Sequence, residues 1–209
     1  MARRALHGLY VITDEGPDLE SRVAAALAGG ARAVQYRDKS GGDHRPAQAA
    51  ALRDLCREHG ALFLVNDDVA LARQVGADGV HLGQHDTPLA EARAALGPEA
   101  VIGITCHGSL SLARLAAEAG ADYVAFGRFF PSLTKPEAPP APVSLLEAAR
   151  AVLALPLVAI GGITAENGAA LVAAGAHMLA VSHGVLGQRD VTAAARALAT
   201  LFPAVEEDP

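Results

Sequence analysis

Cysteine is scarce in this chain, two among 209 residues, and Cys56 and Cys106 belong to no spaced metal motif. A thiolate metal centre is therefore excluded, and a reducing cytoplasm is the natural setting for a pair of packed thiols. Cationic excess is missing too. The 17 Lys and Arg are scattered and outnumbered by 23 Asp and Glu, leaving a net charge of -6, so a nucleic-acid-binding face has no electrostatic basis. Any anionic ligand must be held locally. The longest apolar segment, Ala151 to Ile163, is broken by Pro156 and two glycines and is too short to span a bilayer. The opening MARRALHGLYVITD enters a strand-like run without the apolar stretch and cleavage site of a secretory signal. No Ser-His-Asp order and no metal-spaced histidine pair stands out; His7, His44 and His59 read as surface or structural positions, and His81 sits within a strand. With 51% hydrophobic and 19% charged residues there is material for one core and no sign of a disordered tail.

What the chain has in quantity is one repeated phrase: an alanine-rich helical stretch, then Gly-Ala, then an apolar run ending in polar residues or glycine. It occurs as AGGARAVQYRDK (Ala28 to Lys39), VGADGVHLGQHD (Val75 to Asp86), EAGADYVAFGR (Glu118 to Arg128) and AAGAHMLAVSHG (Ala173 to Gly184). The glycine stops the helix, because a residue without Cβ takes the left-handed cap conformation at little cost. Further strands are expected over Gly8 to Asp14, Ala61 to Asp67, Val101 to Thr105 and Pro156 to Gly162, with helices over Asp43 to His59, Leu89 to Leu96 and Val143 to Leu155. Eight strand–helix units at near-regular spacing predict an α/β architecture with a closed parallel sheet. The expectation is a single (β/α)8 TIM barrel over residues 1–209, compact beside the ~250 residues typical of that fold.

In such barrels the chemistry lies at the carboxyl ends of the strands. Strand two delivers Gln35, Arg37 and Lys39, whose period-two spacing puts them on one face while Val34 and Tyr36 face the helices. Alternating polar residues are ordinary on a solvated edge strand, but a closed barrel has no edge, so these groups need a partner, and an anion fits. Strand three ends in Asn66-Asp67-Asp68 and strand four in Gly83-Gln84-His85-Asp86. Carboxylates beside Arg and Lys suit a structural ion-pair cluster as well as a diphosphate bound through Mg2+, whose hard oxygen ligands would include them. Position favours Asp68 as the N-cap of the next helix. Of the adjacent His85 and Asp86, Mg2+ selects the carboxylate. The long irregular stretch Gly127 to Pro142 carries Ser132, Thr134 and Lys135, two hydroxyls and a cation, the makings of a phosphate-binding lid. Strands seven and eight end in Ile160-Gly161-Gly162 and Ser182-His183-Gly184, where backbone N–H groups can approach a second phosphate.

The motifs QYRDK (Gln35 to Lys39), NDD (Asn66 to Asp68), GVHLGQHD (Gly79 to Asp86), FGRFFPSLTKP (Phe126 to Pro136) and AIGGIT (Ala159 to Thr164) resemble those of thiamine phosphate synthase, in the family's order and over nearly the whole chain. The resemblance implies condensation of 4-amino-2-methyl-5-hydroxymethylpyrimidine diphosphate with 4-methyl-5-hydroxyethylthiazole phosphate, releasing pyrophosphate. It implies that Gln35, Arg37, Lys39, Asn66 and Lys135 hold the pyrimidine diphosphate, and Asp67 and Asp86 its Mg2+. Ser132, Thr134, Gly162 and the backbone at Ser182 and His183 would hold the thiazole phosphate. The implied chemistry is dissociative, so the leaving pyrophosphate needs the charges of Arg37, Lys39 and Lys135, and no side-chain nucleophile is required.

This chain departs from the family's pattern in three places. Thr105 or Cys106 stands for the family's serine after strand five, Arg128 replaces a proline as an added phosphate contact or, the favoured reading, a solvated charge, and Ser182-His183 replace Ile-Ser after strand eight. A related thiazole tautomerase would not require the Gln35, Arg37, Lys39 row together with both Asp67 and Asp86. A non-catalytic thiamine phosphate sensor would keep the anion sites without turnover. The implied partners are small-molecule substrates, with no nucleic acid and no membrane, and with room for a homo-oligomer.

Overall fold

Eight parallel strands close into a barrel in simple sequence order, each hydrogen-bonded to the next and the last to the first. The computed structural model describes residues 6–131 and 139–203. The strands are β1 (Gly8–Ile12), β2 (Ala31–Tyr36), β3 (Leu62–Asn66), β4 (Gly79–Leu82), β5 (Val101–His107), β6 (Tyr123–Gly127), β7 (Leu157–Ile160) and β8 (Met178–Val181). The helices between and after them are α1 (Leu19–Ala28), α2 (Arg45–Glu58), α3 (Val69–Val75), α4 (Leu89–Leu96), α5 (Leu110–Glu118), α6 (Ser144–Arg150), α7 (Ala165–Ala173), α8 (His183–Leu186) and α9 (Val191–Ala199). Among the described residues no helix is long and apolar enough to cross a membrane.

The repeated phrase folds as its glycines require. Gly30, Gly76, Gly120 and Gly175 all have positive φ, between 65° and 108°, and each turns the chain from a helix into the next strand. Helix α6 stops at Arg150, short of the expected Leu155. Val152 and Leu153 both donate to Ala149 O, a tightened last turn, and Pro156 keeps the residue before it out of helical conformation.

Strand alternation sorts the buried side chains into two layers. Val34, Tyr36, Phe63, Val65, Val80 and Phe126 pack outward under the helices, while Tyr10, Ile12, Leu64, Tyr123, Ala125 and Met178 fill the barrel. Two glycines make this inner packing possible. A methyl on Gly79 would lie 1.8 Å from Val101 O, and one on Gly103 would lie 1.9 Å from Cζ of Tyr123. The Tyr123 ring thus occupies the space a side chain on β5 would take.

Candidate active site

The barrel interior carries a connected set of polar groups. Gln35 on β2 donates through Nε2 to Tyr10 Oη at 2.7 Å, and Tyr10 Oη lies 2.9 Å from Tyr123 Oη on β6. His81 on β4 lies 2.9 Å from Tyr123 Oη through Nδ1 and 2.8 Å from Thr105 Oγ1 through Nε2. Its ring stacks on Tyr123, centroids 5.5 Å apart and planes 17° from parallel, and Tyr10 meets Tyr123 edge to face. Burial pushes the Tyr10 hydroxyl up to about 12, against the bonds from Tyr123 and Gln35, and pushes Tyr123 well above its usual value, helped by Tyr10. Both phenols stay protonated. Buried polar groups are costly unless bonded, and each of these has partners.

Above this layer the end of β2 is held in a defined turn. Thr13, buried beyond β1, accepts from Arg37 N at 2.8 Å and donates to Arg37 O at 3.2 Å. Asp38 Oδ1 accepts from Ser40 N, and its Oδ2 takes Tyr36 Oη and His44 Nε2 at 3.1 and 2.8 Å. Burial alone would raise the Asp38 carboxyl, but the bonds from Ser40, Tyr36 and His44 bring it down to about 2. This loop fixes the backbone from which Arg37, half-buried, and Lys39, exposed, extend.

Lys39 reaches across to β3, its Nζ 2.5 Å from Asp67 Oδ2, which also accepts from Asn66 Nδ2 at 2.7 Å. Asp67 has φ +61°, the left-handed region, and its N–H donates to His81 O. A non-glycine residue held there points to a functional constraint. Asp68 leaves the mouth and caps α3, with Oδ1 accepting from Leu71 N at 2.9 Å and Oδ2 pairing with Arg45. Burial draws the Asp67 carboxyl upward, but the Lys39 bond, the adjacent Asp86 carboxyl, the Lys39 charge and Asn66 hold it below its usual value. Asp86 itself accepts from Gly83 N at 2.7 Å.

The two neighbouring carboxylates offer hard oxygen ligands of the kind Mg2+ takes, and the Lys39 ammonium suits the phosphate oxygens beside such an ion. Among the described residues no three His, Cys, Asp or Glu gather as a complete cage. A pair of aspartates fits an ion that keeps waters and takes substrate phosphates as its remaining ligands. The Lys39–Asp67 pair is about half exposed on the lysine side, so it contributes little to stability, ~0–1 kcal/mol for pairs of this kind.

On the far side of the mouth, Gly161 and Gly162 have φ of +104° and +64°. A methyl on Gly162 would meet Pro131 O at 2.2 Å, and one on Gly161 would meet Arg128 Cβ at 2.3 Å. These glycines therefore also seat the start of the long loop, whose other end returns through Ala141 N to Arg128 O at 2.7 Å. Arg128 is half-buried, with one guanidinium nitrogen 3.4 Å from Phe130 O. Ser132, Thr134 and Lys135 lie outside the described residues. Ser182 leads into the short α8, and the His183 imidazole folds against Gly187.

The two strand-five candidates differ in their surroundings. Thr105 is half-buried against His81, whereas Cys106 is fully buried, with Sγ on Ile104 O. Period-two reading missed Tyr10, Tyr123, His81 and Thr13. Their inward facing follows only from the register: Tyr10 lies two residues before Ile12, which pairs with the inward Gln35, and His81 pairs with Asn66.

A family model described as thiamine monophosphate synthase matches residues 9–185. The thiamine-phosphate synthase of Thioalkalivibrio sulfidiphilus is 60% identical over 202 residues, covering 94% of this chain and 96% of that one. The thiamine-phosphate synthase of Chromobacterium violaceum is 56% identical over 203 residues, covering 95% of this chain and 98% of that one. Among solved structures, thiamine phosphate pyrophosphorylase from Pyrococcus furiosus superposes with a TM-score of 0.88 at 36% identity, covering 96% of this chain and 97% of that one.

Proposed function

Because this chain belongs to the thiamine monophosphate synthase family, we propose that its two mouth carboxylates, Asp67 and Asp86, take the Mg2+ diphosphate of one substrate while the glycine-lined ends of β7 and β8 take the phosphate of the other. The chain is a thiamine-phosphate synthase, a transferase joining the aminopyrimidine diphosphate to the thiazole phosphate. The observation that carries the metal assignment is the cluster of Lys39, Asn66, Asp67 and Asp86 at the ends of β2, β3 and β4.

In this reading the carbon–oxygen bond to pyrophosphate breaks with its electron pair leaving on oxygen, and the thiazole nitrogen forms the new carbon–nitrogen bond. Arg37, Lys39 and Lys135 are the cations for the departing charge, and the Thr13 and Asp38 bonds that hold the β2 turn preorganise Arg37 and Lys39 for it. Bound Mg2+ supplies further positive charge to the diphosphate oxygens. Gln35 and Asn66 orient the pyrimidine, and Thr105 offers a hydroxyl beside it. Gly162 and the backbone at Ser182 and His183 receive the thiazole phosphate, with Ser132 and Thr134 as hydroxyl donors. Two free, buried cysteines, with thiols pushed up to about 12 by burial and, at Cys56, by Asp78, support a cytoplasmic setting.

The test is pyrophosphate release in the presence of both substrates with and without Mg2+. Turnover is expected to need all three. Undiminished release in excess EDTA removes the metal assignment, and release at the same rate without the thiazole phosphate removes the condensation.

A further inference from the structure

The polar chain inside the barrel has a direction. Gln35 donates through Nε2 to Tyr10 Oη. A hydroxyl has one proton, and Tyr10, accepting from Gln35, has that proton for Tyr123 Oη at 2.9 Å. Tyr123, accepting from Tyr10, directs its own proton to His81 Nδ1 at 2.9 Å. Nδ1 is then an acceptor, the imidazole carries its proton on Nε2, and Nε2 donates to Thr105 Oγ1 at 2.8 Å. The opposite sense would satisfy the same distances only with the Gln35 amide turned end for end and the other imidazole tautomer. The two ends, on β2 and β5, cannot be set independently.

We propose that Tyr10, Tyr123 and His81 are positioning residues for the pyrimidine diphosphate: they form a one-directional hydrogen-bond chain that fixes the Gln35 amide at one end and the Thr105 hydroxyl at the other. The amide then keeps Oε1 turned from Tyr10, as an acceptor for an amino N–H of the ring, with its second N–H beside it. Gln35 is 2% exposed and His81 8%, so water does not compete for these bonds. Burial holds both phenols neutral, which keeps one proton per hydroxyl and the direction unbroken.

For its substrate this proposal rests on the synthase reading, but its first test needs no turnover. Long-range nitrogen–proton correlation spectra of protein labelled with 15N-histidine report the His81 tautomer directly. The expected result is a neutral ring protonated at Nε2. A ring protonated at Nδ1, or an averaged mixture, overturns the chain whether or not the protein releases pyrophosphate. The second test is kinetic. Tyr10→Phe and Tyr123→Phe each keep the ring and remove one link, and each is expected to raise the KM for the aminopyrimidine diphosphate about tenfold, the scale of one lost hydrogen bond. The KM for the thiazole phosphate should stay within about twofold, because no chain member lies at the other phosphate site. The double variant should be no worse than the poorer single one, since a chain cut once is already released. A multiplied, roughly hundredfold loss in the double variant means the residues act independently and overturns the proposal.

Discussion

Replacing Gly103 by alanine tests whether the barrel interior depends on the gap that β5 leaves for Tyr123. The added methyl would lie 1.9 Å from Tyr123 Cζ and 2.3 Å from both Cε atoms, so the ring must move. Overpacking of this kind costs about 1–3 kcal/mol. Moving the ring also separates the Tyr123 hydroxyl from Tyr10 and His81, and each buried polar group left unbonded costs roughly 1–3 kcal/mol. With one such group left unbonded these give a destabilisation on the order of 2–6 kcal/mol, a large share of the ~5–15 kcal/mol by which domains are stable. For a chain of this length that corresponds to a Tm lowered by about 4–24 °C. Urea unfolding followed by far-ultraviolet circular dichroism, with the m-value checked for constancy, measures the same loss. The control is Gly108→Ala, where the new methyl would meet nothing closer than Ala141 Cβ at 3.9 Å and stability should change by less than ~0.5 kcal/mol. Removing the obstacle with Gly103→Ala in a Tyr123→Ala background should cost less than the sum of the two single changes. A Gly103→Ala protein within ~1 kcal/mol of the parent would refute the reasoning, because the ring would then have somewhere else to go.

Three further outcomes are expected. Asp86→Ala should cut turnover strongly and raise the Mg2+ needed for half activity, while His85→Ala should change both only slightly; Mg2+ titrations of the two variants decide, and a larger defect in His85→Ala reverses the assignment. Asp68→Ala removes the α3 cap and the Arg45 partner and should cost about 0.5–2 kcal/mol in urea unfolding, with no change in Mg2+ dependence. Asp38 titrates at about 2 when folded and near 3.8 when unfolded, so its contribution is complete above the unfolded value and is lost as pH falls through the folded one. Stability curves of Asp38→Asn should therefore be flatter than the parent's between those two values, and an identical acid slope would show that the Ser40, Tyr36 and His44 bonds do not hold the carboxylate.

The strand–helix repeat was legible because glycine and alternation are local signals: four positive-φ glycines fall at the four Gly-Ala phrases. The cap was legible for the same reason, Asp68 rather than Asp67 standing one residue before α3. The inner chain was not. Tyr10 and Tyr123 look like ordinary core aromatics in apolar strands, and whether an aromatic points into the barrel or under a helix depends on register across neighbouring strands. His81 was read as a histidine within a strand, which it is; its partners Tyr123 and Thr105 are 42 and 24 residues away in sequence. The surroundings of Thr105 and Cys106 depend on a register irregularity between Thr105 and His107 against β6, which no composition signal announces. The approach of Arg128 to Gly161, so close that a methyl there would meet Arg128 Cβ at 2.3 Å, is made by two distant loops and has no local sequence signal.

Closure of the barrel has a bearing on how the protein is made. The first strand of the barrel, β1, must find the last one: Gly8 to Val11 pair with Met178 to Val181. Tyr10 sits on that first strand, so the chain joining Gln35 to Thr105 reaches from residue 10 to residue 123, and its β1 end stays unsealed until β8 pairs beside it. Contacts so distant in sequence form late and slowly. A nascent chain stalled before β8 would own every acidic and basic residue of the β2–β4 mouth and still lack the partner strand that seals β1 beside them. Competence for chemistry in this fold therefore arrives with the last strand, and not with the last residue that touches a substrate on the first half of the barrel.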